Sequence, residues 1–282
     1  MKGVGRSTAA PRGWAGRALA AYAGAVFVFF YAPILVLFVF SFNDSNSISR
    51  WEGFTGSWYG AVLDNDNVMN SLGVSVKVGV VSTIISVVLG TLSALSLERY
   101  RWRGRAVFDA VLYLPIIIPD VAMAVMLLLF FGQVGDLLDR LPGLDVHSGI
   151  DTLVLSHVAF NISFVSVVVR ARLADADPTL EEAAADLYAN RWQTFRHVTL
   201  PTIMPGIVGG ALLALTISFD DVVISSFVAA IGSTPLPVFV FGLLRKDVTP
   251  LINAVSMIIL AVSISLVLLS LAAQRASRVS RT

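Results

Sequence analysis

Asp220 and Asp221 stand side by side in S-F-D-D-V-V-I-S-S-F, inside a long apolar stretch. Asp120 follows Pro119 in a second such stretch, and Lys77 and Asn161 lie in two more. Charged groups are expensive in hydrocarbon, and carboxylates there ordinarily face a cavity, a partner charge or an ion path. Two chemistries fit. Asp120 or Asp221 pairs with Lys77, or caps a broken helix, as a purely structural element. Alternatively, Asp120, Asp220 and Asp221 form a cation-attracting vestibule, with Phe219 as an aromatic wall and Phe227 as a further cation–π surface. Helical neighbours point about 100° apart. One of Asp220 and Asp221 is therefore expected to face the path, and the other a partner subunit or a helix end. Nothing indicates catalysis. There are no cysteines, and His147, His157 and His197 are scattered without metal-ligand spacing. They read as ordinary loop or packing residues, and no metal or cofactor is expected in this chain.

The elements that must position these acids are membrane helices. The chain has 282 residues, 56% hydrophobic and 14% charged, with mean hydropathy +0.79. Soluble proteins carry about 25% charged residues. The net charge is +1, which implies no nucleic-acid partner. Six spans are expected, at about 19–42, 72–97, 106–131, 152–173, 204–230 and 251–273. Each is long enough for a hydrocarbon core of about 30 Å. The first is too long for a signal-peptide core of about 7–15 residues, so it reads as an uncleaved helix. Residues 1–17 and 274–282 read as tails. Residues 43–70 read as a polar, acidic loop. Pro235, Pro237 and Pro250 bracket a segment able to hold a short half-buried helix.

Charge asymmetry sets the sidedness. The N-terminal tail carries four Lys/Arg, the 98–106 loop four, the 170–200 loop four and the C-terminal tail three. The opposite loops hold only Arg50, Arg140, Arg245 and Lys246. By the positive-inside rule both termini and residues 178–201 are cytoplasmic. In straight helices rising 1.5 Å per residue, Asp120 stands roughly 21 Å above Ala106 and Asp220 roughly 22 Å above Pro205. The acids could then meet at one depth, in the outer half of the bilayer. No inverted repeat points to a secondary transporter. The lysines, Lys2, Lys77 and Lys246, lie in no phosphate loop of the G-x-x-x-x-G-K-[ST] type, so any ATP must be bound by another polypeptide.

The loop PTLEEAAADLYANRWQTFRHVTLPTIMPGI is the longest polar interruption between two apolar spans. Thr179 and Glu182 have capping-box spacing, and Pro178 suits a first turn. Asn190 is expected to end the helix in the left-handed conformation. A second short amphipathic piece runs over residues 191–200, and Pro201 and Pro205 are expected to break the chain. A bare alanine face lets such a helix lie close to a partner. Glu182, Ala183, Ala184, Asp186 and Leu187, followed by V-T-L-P and P-G-I, resemble the EAA loop of ABC importer permeases. Tyr188 stands where that family has Gly. The resemblance implies that this loop, residues 178–201, forms coupling helices, with Glu182, Ala183, Ala184, Asp186, Leu187 and Tyr188 docked on a cytosolic ATPase.

From about Tyr31 onward the chain also resembles the second permease of spermidine/putrescine importers. The matching pieces are YAPILVLFVFSFN, WEGFTGSWY, YRWRGR, Pro119–Asp120, the EAA-like loop and SFDDVVISSFV. The resemblance implies an all-α permease of the type I importer fold in a bacterial inner membrane. Its expected partners are a second, homologous permease, two ATPase subunits that bind ATP and magnesium, and a periplasmic or lipid-anchored polyamine-binding protein. The expected function is a non-catalytic transport subunit for polyamines. The alternatives are the same architecture for another solute (an amino-acid derivative, a phosphonate or ferric ion), a self-contained channel or carrier, or a receptor without flux.

Overall fold

The computed structural model describes residues 14–45, 50–138, 140, 149–245 and 249–279. The described elements are helical apart from one antiparallel bridge between Asn43 and Phe54. Helices long and apolar enough to cross a membrane are α1 (Trp14–Phe40), α3 (Asp66–Arg99), α6 (Ile150–Ala174) and the continuous run Arg191–Asp220. A fifth span results if the bent pair α4 (Arg105–Ile117) and α5 (Asp120–Leu138) counts as one. Helix α12 (Pro250–Val279) follows, apolar over Pro250–Ser265. Short helices α2 (Ser57–Leu63) and α11 (Leu236–Leu244) lie between spans. Residues 14–17, expected in the tail, begin α1, while residues 1–13 lie outside the described residues.

The core is a three-helix contact of α3, α6 and the span containing Leu200–Asp220, here α9. Small residues let these backbones approach. A Cβ on Gly90 would come within 2.8 Å of Val165, and one on Gly206 within 2.8 Å of the Arg172 Cβ. Interior bonds are polar as well. Asn161 Nδ2 donates to Ser218 Oγ at 2.8 Å, and Ser82 and Ser218 hydroxyls lie 3.3 Å apart, all three residues being buried. Side-chain hydrogen bonds of this kind join membrane helices where apolar faces alone would slide. At the other end, Leu236 N–H of α11 donates to Ser75 Oγ of α3 at 2.8 Å. Trp58 of α2 donates to the Asn43 carbonyl at 2.7 Å, fastening the segment after α1.

Three expectations about helix continuity are corrected. The span expected at 106–131 is not one helix: α4 and α5 meet at 113°. Ile118 is extended (φ −72°, ψ 133°) because the proline that follows disfavours helical geometry before it. The span expected at 204–230 also breaks. Helix α9 ends at Asp220, Asp221 is extended (φ −69°, ψ 118°), and α10 (Val223–Val228) starts afresh. Conversely, Pro201 and Pro205 do not break the chain. Helix α8 (Arg191–Thr194) passes through a wide turn, Phe195–Thr199, into α9. Pro201 sits in the first turn of α9, where it costs little. The wide turn gives slack to its ring, and Thr202 Oγ1 donates to the Val198 carbonyl at 2.7 Å.

Candidate functional site: an acidic cavity and an exposed loop

The two helix breaks face each other. Together they frame a cavity of about 360 Å³ whose wall includes Asp120, Asp220 and Asp221. Asp120 is the first residue of α5, where a negative charge meets the positive end of the helix dipole. Asp220 is the last residue of α9, and both acids are exposed. The rest of the wall is apolar or aromatic, with Pro115, Met123, Phe160, Phe164 and Ile217. The depth estimate assumed a straight helix up to Asp120, which the bend invalidates. The acids nonetheless share one cavity.

Asp221 differs from its neighbour. Its carboxylate accepts the backbone N–H of Ile224 at 3.2 Å and of Ser225 at 2.7 Å. It therefore caps α10, as an acid preceding a helix commonly does. Its Oδ2 also lies 3.6 Å from His157 Nε2, and its side chain is only 10% exposed. So the adjacent acids divide between a helix end and the open cavity. Lys77 plays no part. It is exposed, and among the described residues it forms no ion pair with Asp120 or Asp221.

Phe219 is not in this wall. It lines a separate apolar hollow with Leu72, Ser75 and Leu236. A Cβ on Gly79 would lie 3.0 Å from two of its ring carbons. The roughly 100° step between successive helical residues turns it away from Asp220, and the aromatic wall is instead Phe160 and Phe164 of α6. Their positions carried no charge or motif to flag them in the sequence.

The loop after α6 holds α7 (Thr179–Asp186). The Thr179–Glu182 capping box does not form. Asp177 accepts both the Thr179 N–H at 3.0 Å and its hydroxyl at 2.8 Å instead. Those bonds hold the Asp177 carboxyl below its ordinary range. A depressed carboxyl contributes stability above its unfolded value, and that contribution is lost as pH falls through the folded value. The capping box of the loop is Asn190 with Gln193, each side chain bonding the other's backbone N–H at 2.9 Å. Asn190 is thus extended and starts a helix; it does not end one. The left-handed residue is Tyr188, φ 59°. Ala189 N–H donates to the Ala184 carbonyl and Tyr188 N–H to that of Ala185, at 3.0 and 2.9 Å. This is the Schellman closure, in which the residue after the cap is usually glycine.

Of the loop residues singled out, Glu182, Ala183, Asp186, Leu187 and Tyr188 are exposed and Ala184 is half-buried. Leu187 is 83% exposed and Tyr188 96%. Glu181, which the spacing did not flag, ties the loop to the helices. It forms a two-pronged ion pair with Arg99 at the end of α3, and Thr199 Oγ1 donates to it at 2.6 Å. One turn away in the bundle, Arg170 of α6 bonds Glu98 at 2.8 Å and also Asp109 of α4. Only the clustering of arginines over residues 99–105 hinted at these ties.

Several long apolar helices, two of them broken around carboxylates, and a short exposed helix mark an integral membrane protein. Residues 86–280 match the family described as binding-protein-dependent transport system inner membrane component, and the chain belongs to that family. It is 40% identical to the putrescine transport system permease protein PotI of Escherichia coli (strain K12), over 83% of this chain and 82% of that one. It is 35% identical to the spermidine/putrescine transport system permease protein PotC of the same strain, over 87% and 89%. Among solved structures, a bacterial ABC transporter involved in the import of the acidic polysaccharide alginate shares the fold. The TM-score is 0.76 at 18% identity, covering 93% of this chain and 95% of that one.

Proposed function

We propose that this chain is the permease subunit of an ATP-driven importer of polyamines. The observation that carries the reading is the convergence of Asp120, Asp220 and Asp221 on one cavity with aromatic walls. A polyamine bears ammonium groups separated by methylenes. It calls for spaced anions and an apolar wall, and this cavity offers both. The likeness to putrescine and spermidine/putrescine permeases supports the same cargo. A second reading, the same architecture carrying another solute, draws on 27% identity to the putative 2-aminoethylphosphonate permease PhnV of Salmonella typhi. Three carboxylates at the cavity favour a cation over a phosphonate.

In this reading the chain crosses the membrane six times, with α4–α5 as one broken span and α12 as the last. Both termini and α7 are cytoplasmic. The exposed Glu182, Ala183, Asp186, Leu187 and Tyr188 dock on an ATPase subunit, one of two that bind ATP and magnesium. A second, homologous permease and a periplasmic or lipid-anchored polyamine-binding protein complete the importer. This subunit performs no catalysis.

The test is labelled spermidine and putrescine uptake by the complete importer. Asp220→Asn is expected to lower uptake at least tenfold, as expected for losing a charge-assisted contact of about 1.5–3 kcal/mol. Asp120→Asn is expected to have a smaller effect. Full uptake in both single variants and in the double variant excludes the acidic path.

A further inference from the structure

His157 is 1% exposed, about two turns into α6. Its Nε2 lies 3.2 Å from Ser225 Oγ and 3.6 Å from Asp221 Oδ2. Its ring rests against Phe160, centroids 5.3 Å apart. Its Nδ1 is buried with no hydrogen-bond partner among the described residues. One turn further along α6, Asn161 holds Ser218. Helix α6 therefore grips the chain on both sides of its break at Asp221, through Ser218 before it and Ser225 after it.

Packing does not call for a histidine here. The Phe160 it rests against belongs to an apolar cluster with Ala124, Phe131, Ile224 and Val228. A buried nitrogen without a partner costs free energy that a phenylalanine in its place would not. What only the histidine supplies is a ring nitrogen within hydrogen-bond reach of Ser225 Oγ, with the Asp221 carboxylate just behind it. We propose that His157 is a positioning residue of import. It fixes the start of α10 and the Asp221 carboxylate, and so fixes the spacing of anions around the cavity. A cargo with two ammonium groups at short, set separation depends on that spacing more than one with a third ammonium and longer reach. The inference rests on the acidic cavity being the cargo's path.

The test uses cells expressing the complete importer, with labelled putrescine and spermidine as probes and the assembled complex quantified by pull-down. His157→Phe is expected to raise the KM for putrescine roughly tenfold, on the scale of one lost hydrogen bond to a charged network. The KM for spermidine rises less, so the ratio between the two cargoes shifts. His157→Gln places an amide, able to donate or accept, near the same point and is expected to restore most of the putrescine KM. An unchanged KM and cargo ratio in His157→Phe overturns the inference, as does a glutamine variant no better than phenylalanine. Loss of assembled complex with unchanged KM also overturns it, leaving only a structural role. Asp220→Asn, measured in parallel, separates the two claims. If Asp220→Asn transports fully, the cavity reading falls and this inference with it. If Asp220→Asn is impaired and His157→Phe is not, only the positioning role fails.

Discussion

Tyr188 is held in a conformation that favours glycine, yet its ring touches almost nothing, at 96% exposure. The left-handed region costs an ordinary residue roughly 1–2 kcal/mol relative to its preferred backbone. Among the described residues no packing offsets that. A docked partner would, by covering Tyr188 together with Leu187. Tyr188→Gly is therefore expected to stabilise α7 by about 1 kcal/mol, read as slower hydrogen exchange of the Ala184–Ala189 amides. The same change is expected to weaken ATPase association in pull-down. Slower exchange with undiminished association would show that the ring does not dock. Residue identity made part of this legible. Tyr188 stood out because the resembling family carries Gly there. Its backbone did not, because Asn190 is the commoner left-handed residue and two residues is within the reach of the turn. The split between Asp220 and Asp221 was legible as a division of labour. Its direction was not, since it depends on where α9 stops.

At the scale of elements, the long helices were written plainly in apolar runs, and their breaks only in part. Pro119 disfavours helical geometry at the residue before it, but that local rule does not set the size of the bend, 113°. The break at Asp221 has no proline. It exists because a carboxylate can cap a new helix at little cost, using its own side chain for the freed N–H groups of Ile224 and Ser225. Ties between elements were the least legible, since Arg99 and Glu181 lie far apart in sequence. That ion pair is partly exposed, 33% and 25%, so its worth is modest, about 0.5–1 kcal/mol. Its importance is placement: it joins α7 to the end of α3, while Thr199 joins the same carboxylate to the turn before α9. Glu181→Arg is expected to uncouple ATP hydrolysis from uptake, and the exchange Arg99→Glu with Glu181→Arg to recover part of the coupling. A double-mutant cycle with no interaction between the two positions would remove this tie from the coupling route.

For the whole molecule, the isolated chain is incomplete as a membrane object. Beyond Arg17 in its first turn, helix α1 is apolar throughout apart from two tyrosines, and it contributes no buried residue. Lipid can cover it. Lipid cannot cover Asp120 and Asp220, which are exposed at the cavity. A carboxylate facing hydrocarbon costs several kcal/mol unless water or a partner meets it. The second permease of the proposed importer would close the cavity and turn it into a passage. In the proposed importer the energy comes from its ATPase subunits. The chain reconstituted alone in vesicles is therefore expected to pass no labelled putrescine, with or without ATP. With its permease partner, ATPase subunits and binding protein, uptake should appear, and a hydrolysis-deficient ATPase should abolish it. The rival of a self-contained channel or proton-coupled carrier predicts the opposite pattern. There, flux through the chain alone would be insensitive to ATP, and Asp120→Asn or Asp220→Asn would reduce it. Observing that flux would mean that Asp120 and Asp220 form a complete path without a second permease.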